Sequence, residues 1–275
     1  MQDLIDKFHL NSDKKFFLIF DVDGTLRPDT VTALDHRHPR IDPETAKSLR
    51  LLNTHEKVRV SILTARSYVD IFRSNIPNSI TKYCGFGKQI VENDILRYPR
   101  PEFARAYDEI TVFVDLIKDI LGPVLTANLD FLVTPGDFAL YFEANEYQQQ
   151  KAKIKAVLET VFANSQRWHI EDLGKEIIFK DSKYTYNKGD AIFDILDTLN
   201  LQALTHVYLF GDSDADYKAM VALREYQKLH PQKRLKVTNI AVGHQLDERE
   251  AVDISFDSYK DTLKFVATLH GMFLK

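Results

Sequence analysis

Five aspartates stand in two short clusters, Asp21-Val22-Asp23-Gly24-Thr25 and Gly211-Asp212-Ser213-Asp214-Ala215-Asp216, each directly after an apolar run. Thr64-Ala65-Arg66 follows a third such run, and Lys188-Gly189-Asp190 opens a helical stretch. Taken singly, each cluster reads as a solvated turn. Together, Asp21, Asp23, Asp212 and Asp216 would bring up to four carboxylates to one crevice. Two like charges about 4 Å apart repel by about 1–4 kcal/mol at effective dielectrics between 80 and 20, so a folded chain must compensate them. A hard divalent cation on oxygen ligands does so, and Mg²⁺ favours few carboxylates, several waters and a substrate phosphate. Lys188 adds a point charge suited to a phosphoryl group.

Spacing separates this reading from other metal sites. The calcium-loop pattern fits Asp212, Asp214 and Asp216, but Tyr217 stands where it needs Gly and Leu223 where it needs Glu. Gly85-Phe86-Gly87-Lys88 lacks the gap and the Ser/Thr of a P-loop. With one cysteine, Cys84, there is no zinc pattern. His36 and His38 read as part of a solvated basic loop, with metal or anion binding as the alternative. What remains is an aspartate nucleophile with a cation: Asp21, last out of its strand, attacks phosphorus, which splits one hard step into two. Asp23 protonates the leaving oxygen and then activates water, and Gly24 lets the chain turn between those roles.

The elements that must position these groups are legible as short apolar runs, the mark of strands buried on both faces. Phe16–Phe20, Val58–Leu63, Val207–Phe210 and Thr238–Val242 read as such strands. Asp42-Pro43-Glu44 opens a helix over Thr45–Leu52, and Asp190–Leu199 has helical spacing. The alternation predicts an α/β fold, a doubly wound, mostly parallel Rossmann-like sheet. The middle of the chain differs. Two amphipathic helices, over Ile110–Leu121 and Ile154–Phe162, lie among strand-like pieces at Phe138–Glu143, Trp168–Ile170 and Glu176–Lys180. They predict an inserted smaller α+β domain over 97–182, within a core of 1–96 plus 183–275, with hinges at Tyr98-Pro99-Arg100-Pro101 and Asp181-Ser182-Lys183. Trp168 and Tyr141 read as packing residues of that insert, sugar stacking being the alternative.

The four motifs, in order, resemble those of the haloacid dehalogenase-like phosphatases: Asp21-Val-Asp-Gly-Thr-Leu26, Thr64, Lys188 and Gly211-Asp-x-x-x-Asp216. The resemblance spans the whole chain. It implies Asp21 as nucleophile, Asp23 as acid/base, and Thr64 with Lys188 on the transferring phosphoryl group. It further implies Mg²⁺ held by Asp21, the Asp23 carbonyl and Asp212, with Asp216 in support. Gly24, Thr25, Arg66 and Lys88 are the expected substrate contacts, with a structural role or a place at the rim of the site as the alternative for Arg66. The insert falls between Thr64 and Lys188 and resembles the C2-type cap of the IIB branch; within it the chain is most similar to trehalose-6-phosphate phosphatases. The segment Val133–Glu143 lacks the lysine that the caps of those enzymes carry, and Tyr141-Phe142-Glu143 replaces a basic strand end.

The expected activity is a Mg²⁺-dependent phosphatase acting on a small phosphorylated metabolite, a sugar phosphate, with trehalose 6-phosphate the leading named candidate. A phosphomutase on the same scaffold and a non-catalytic binding module are the alternatives.

Composition agrees. Among 275 residues, 44% are hydrophobic and 28% charged, a globular balance. The formal net charge of −4 argues against a nucleic-acid partner. No stretch reaches the roughly 20 apolar residues of a membrane span. The first twenty residues lack the apolar core of a signal peptide, and one cysteine forms no intrachain disulfide, so a soluble cytoplasmic protein is expected. Cys84 itself reads as a buried, inert thiol. Oligomeric state is not legible in the sequence.

Overall fold

The computed structural model describes residues 8, 10–11, 14–29, 40–122, 130–141, 144–162, 166–172, 176–199, 201 and 205–273. The described residues fall into two units. One holds those up to Arg97 and from Tyr186 onward, the other Tyr98–Thr185.

The first unit is built on an eight-stranded sheet. Its strands are β1 (Lys15–Phe20), β2 (Val58–Leu63), β3 (Thr81–Cys84), β4 (Gln89–Glu92), β5 (Ile95–Arg97), β10 (Thr205–Gly211), β11 (Lys236–Val242) and β12 (Ile254–Phe256), in the order β12-β11-β10-β1-β2-β3-β4-β5. All neighbours pair parallel except β4, which runs antiparallel to β3 and β5.

The run Phe16–Phe20 is apolar at every position because both faces of β1 are covered. Phe16, Leu18 and Phe20 pack in one cluster with Leu49 and Leu52 of α1 (Pro43–Thr54) and Phe265, Val266 and Leu269 of α7 (Tyr259–Phe273). Phe17 and Ile19 join the opposite cluster with Ile192, Ile195 and Leu196 of α5 (Lys188–Thr198) and Met220 and Leu223 of α6 (Asp214–Leu229). The sheet is therefore doubly wound. α1 starts where the sequence places it: Asp42 Oδ2 accepts from the Thr45 N–H at 2.9 Å, with Pro43 in the first turn.

Register decides what meets at the carboxyl edge. Phe20 pairs with Phe210 on one side and Ile62 on the other, and the Asp21 N–H donates to Phe210 O at 3.1 Å. The chain runs outward through β2 and β3 and returns to β10 on the opposite side of β1. This reversal is where open α/β sheets bind ligands.

The second unit has a four-stranded antiparallel sheet, β6 (Asp130–Thr134), β7 (Asp137–Tyr141), β9 (Glu176–Asp181) and β8 (Trp168–Asp172), in the order β6-β7-β9-β8. It also holds α3 (Pro101–Leu121) and α4 (Ala144–Phe162), the first after the short helix α2 (Tyr68–Phe72) of the other unit. The core of this second unit joins Ile110, Val114 and Ile117 of α3 with Ile154 and Leu158 of α4, Phe138 and Phe179. Trp168 stacks on Phe113 at 4.6 Å with an interplanar angle of 8°, so its ring is committed to packing. The Tyr141 side chain and Phe142-Glu143 lie outside the described residues. The return to the first unit comes at Thr185–Tyr186, beyond Asp181, whose buried carboxylate accepts from Arg167 Nε at 2.7 Å and from the Lys183 N–H at 3.0 Å. Among the described residues no helix is long and apolar enough to cross a membrane.

Candidate active site

Lys188 is the centre of the site. It is the first residue of α5, whose start is fixed by a reciprocal cap. Asn187 Oδ1 accepts from the Gly189 N–H at 2.7 Å, and the Asn187 N–H donates to Asp190 Oδ2 at 2.9 Å. The ammonium is 2% exposed and donates to Asp21 Oδ1 at 2.7 Å and to Asp216 Oδ1 at 2.6 Å. Burial alone would lower its pKa, but Asp21 and Asp216 outweigh that and hold the proton above the ordinary lysine range.

Asp216 does two jobs with one carboxylate. While Oδ1 takes Lys188, Oδ2 accepts from the Ser213 hydroxyl at 2.6 Å and the Ser213 N–H at 3.1 Å, which caps α6. Gly211 is needed for space: a Cβ there would lie 2.2 Å from Asp216 Cβ. Asp214, the first residue of α6, turns away to Arg249 at 2.7 Å and is exposed.

One carboxylate oxygen each from Asp21, Asp212 and Asp216 lie within 4.8 Å of one another. Burial pushes the Asp21 carboxyl well up, against the pull of Lys188 and with the help of Asp216, Asp212 and Asp23. Asp212 is pushed up to about 7 by burial and by Asp216. Once ionised, three carboxylates against one ammonium leave two negative charges, the charge of one divalent cation that would take the protons' place. The donors are all hard oxygens, the set that suits Mg²⁺ or Ca²⁺ and excludes thiolate-seeking metals. Gly24 makes the approach possible. Its φ is +71°, and a Cβ there would sit 1.9 Å from Asp212 Oδ2.

Asp23 lies at the other side of the turn, with its carboxylate held by a guanidinium fork. Arg66 Nε donates to Oδ2 at 2.5 Å and Nη2 to Oδ1 at 2.9 Å, while Arg27 Nε lies 3.5 Å from Oδ1. The Arg66 guanidinium, for which the sequence offers either a substrate contact or a structural role, is engaged by Asp23. The fork rests on a tight turn after β2, where Thr64 Oγ1 accepts from the Arg66 N–H at 3.2 Å. Thr64 and Lys88 are both buried at this edge. The Thr25 hydroxyl is fully buried and has no hydrogen-bond partner among the described residues. A buried orphan hydroxyl costs about 1–3 kcal/mol unless something completes it.

The structure thus gathers Asp21, Lys188, Asp212 and Asp216 into one cluster, and sets Asp23 with Arg66 beside them. His36 and His38 lie outside the described residues. Cys84 is buried and burial pushes its thiol up, the state of an inert cysteine. Two groups went unread in the sequence. Arg27 is 7% exposed beside Asp23, and Asp70 is 8% exposed, pushed up to about 6 by burial against the pull of Arg66. Arg27 directly follows the first motif, a position that signals nothing by itself. Asp70 carries the signal of an N-terminal cap, Ser67-x-x-Asp70, and does bond the Ser67 hydroxyl at 3.1 Å.

No family model matches the sequence, and no curated protein matches it. Its fold matches solved structures over nearly the whole chain. A trehalose-6-phosphate phosphatase related protein aligns at 17% identity and TM-score 0.65, covering 94% of this chain and 98% of that one. The C-terminal domain of C. albicans trehalose-6-phosphate phosphatase aligns at 14% identity and TM-score 0.65, covering 98% and 97%. Aspergillus fumigatus trehalose-6-phosphate phosphatase aligns at 15% identity and TM-score 0.56, covering 94% and 93%. At these identities the likeness shows a shared fold, the one that the resemblance to haloacid dehalogenase-like phosphatases implies.

Proposed function

We propose that this protein is a Mg²⁺-dependent phosphomonoesterase that works through an aspartyl-phosphate on Asp21 and acts on a small phosphorylated metabolite of the sugar-phosphate class. The observation that carries this reading is the buried Lys188 ammonium bridging Asp21 and Asp216, with Asp212 within 4.8 Å. A lysine so placed offsets the charge of the nucleophile and of phosphoryl oxygens bound beside it.

In the first half-reaction an Asp21 oxygen attacks phosphorus and the bond from phosphorus to the ester oxygen breaks, with Asp23 giving its proton to that oxygen. In the second, water attacks the same phosphorus and loses a proton to Asp23. The bond to Asp21 breaks, and inorganic phosphate leaves. Thr64 and Lys188 orient the transferring group, and the orphan hydroxyl of Thr25 supplies a donor for it. Asp21, the Asp23 carbonyl and Asp212 would hold the cation, with Asp216, already shared between Lys188 and Ser213, in support. When bound, Mg²⁺ neutralises charge that builds on the reacting oxygens.

Residues 1–96 with 183–275 serve as the catalytic core and 97–182 as the cap that selects the substrate. The substrate class rests on the fold shared with trehalose-6-phosphate phosphatases. Trehalose 6-phosphate is the first candidate to try, and the missing cap lysine in Val133–Glu143 is the reason to try others. The one cysteine, free and buried, supports work in the reducing cytoplasm.

The test is phosphate release from a panel of sugar phosphates, glycerates and nucleotides, with Mg²⁺ and with EDTA. Release from a sugar phosphate that needs Mg²⁺ supports the reading. No Mg²⁺-dependent release from any ester contradicts it.

A further inference from the structure

Phe86 has a left-handed backbone, with φ of +61°, between Gly85 at +55° and Gly87 at +96°. Glycine takes such angles freely. A bulky residue with a Cβ does so at about 1–2 kcal/mol. The strain is held in place by its surroundings. The Gly85 N–H donates to Arg66 O at 2.7 Å, the Phe86 N–H to Thr64 O at 2.9 Å, and the Lys88 N–H to Gly85 O at 3.2 Å. On its far side the loop meets the first turn of α5, where a Cβ on Gly87 would lie 2.4 Å from Ala191 Cβ. The loop is therefore wedged between the Thr64–Arg66 turn and the helix that carries Lys188.

Neither conformation nor packing asks for phenylalanine there. Glycine or asparagine would take the angle more easily. The ring is half-buried, yet it belongs to neither hydrophobic cluster of its unit, whereas Tyr68 and Ile90 nearby each pack against one. It has no aromatic partner among the described residues. Strained non-glycine residues of this kind persist where the surroundings over-determine them, and they gather at ligand clamps. One backbone hydrogen bond joins Phe86 to Thr64, which sets the residue next to the turn proposed to orient the phosphoryl group.

We propose that Phe86 is a specificity-determining residue, a platform for the apolar face of the pyranose on the leaving-group side of the ester. This rests on the phosphatase reading above. Aromatic rings supply large apolar contact with few rotatable bonds, which suits a fixed platform.

The experiment compares wild type, Phe86→Gly and Phe86→Tyr in steady-state hydrolysis and urea unfolding. The esters are glycerol 3-phosphate, which has no ring, and glucose 6-phosphate, mannose 6-phosphate and trehalose 6-phosphate. Phe86→Gly relieves the strained angle and deletes the ring; Phe86→Tyr keeps the ring. The ratio of kcat/KM for the best pyranose phosphate over glycerol 3-phosphate falls about tenfold or more in Phe86→Gly, through KM, and recovers in Phe86→Tyr. Stability of Phe86→Gly is equal to or above wild type. An unchanged ratio, or stability and both activities falling together, overturns the platform. So does a wild type that hydrolyses glycerol 3-phosphate but no pyranose phosphate, with the phosphatase reading left standing. A wild type inactive on every ester overturns both.

Discussion

Arg66 grips both carboxylate oxygens of Asp23, at 2.5 and 2.9 Å, so the residue cast as acid and base is held by a two-pronged donor rather than left to rotate. The pair joins the ends of β1 and β2, and its geometry follows from the parallel register of those strands. Arg66→Lys keeps the charge and loses the fork. It lowers kcat for an alkyl phosphate about 10–100-fold with little change in KM. It has a smaller effect on an aryl phosphate, whose leaving group needs no proton. Equal losses on both esters, with a raised KM, would mean that Arg66 binds substrate directly.

Lys188→Met removes the one ammonium that, among the described residues, pairs with both Asp21 and Asp216, and leaves two buried carboxylates facing each other. Breaking a buried pair from one side costs about 3–5 kcal/mol. Urea unfolding in EDTA reads that loss, and Mg²⁺ restores part of it. Turnover falls by about 10²-fold or more. Unfolding free energy within error of wild type in EDTA would refute the assignment.

Gly24 and Gly243 share a left-handed backbone, at +71° and +74°, but their surroundings differ. A Cβ on Gly24 would meet Asp212 Oδ2 at 1.9 Å, whereas one on Gly243 would meet nothing within 4 Å. Both alanine variants therefore carry a similar backbone cost of about 1–3 kcal/mol. Only Gly24→Ala displaces Asp212. It loses activity about a hundredfold or more and needs more Mg²⁺, while Gly243→Ala keeps its activity. Matching kinetics in the two variants would remove Asp212 from the site.

The pH dependence of stability follows from the raised carboxyls, Asp212 at about 7, Asp70 at about 6 and Asp21 well above its ordinary value. An unfolded aspartate releases its proton near 3.9. Between about pH 4 and 7 the folded protein binds more protons than the unfolded chain, so its stability falls as pH rises through that window. Thermal midpoints in EDTA should drop from pH 5 to pH 7.5. Mg²⁺, which takes the protons' place, should raise the midpoint more at pH 7.5 than at pH 5. Asp212→Asn should flatten both trends. A midpoint in EDTA that rises with pH would contradict the charge count.

What the sequence revealed was whatever a single stretch of chain decides. β1 was legible because two apolar layers cover it, leaving Phe16–Phe20 without a polar residue. The motif aspartates were legible because each follows such a strand. β3 was not, because Lys82, 2% exposed and with its pKa lowered by burial, interrupts its apolar pattern. α6 hid behind its own cap: Ser213 and Asp216 fix its start, but among so many aspartates they read as a metal loop. The grip of Arg66 on Asp23 joins residues 43 apart in the chain, and only strand register brings them together. Gly85-Phe86-Gly87 announces a turn, while the sign of φ at Phe86 is set by its partners at Thr64 and Arg66.

The most direct measurement is to quench turnover in acid and map the phosphoryl group by peptide mass spectrometry. The account predicts the added mass of one HPO₃ on the peptide holding Asp21, carried by that residue, and neither adduct nor phosphate release in Asp21→Asn. A phosphoryl group on any other side chain, or undiminished release by Asp21→Asn, would contradict it.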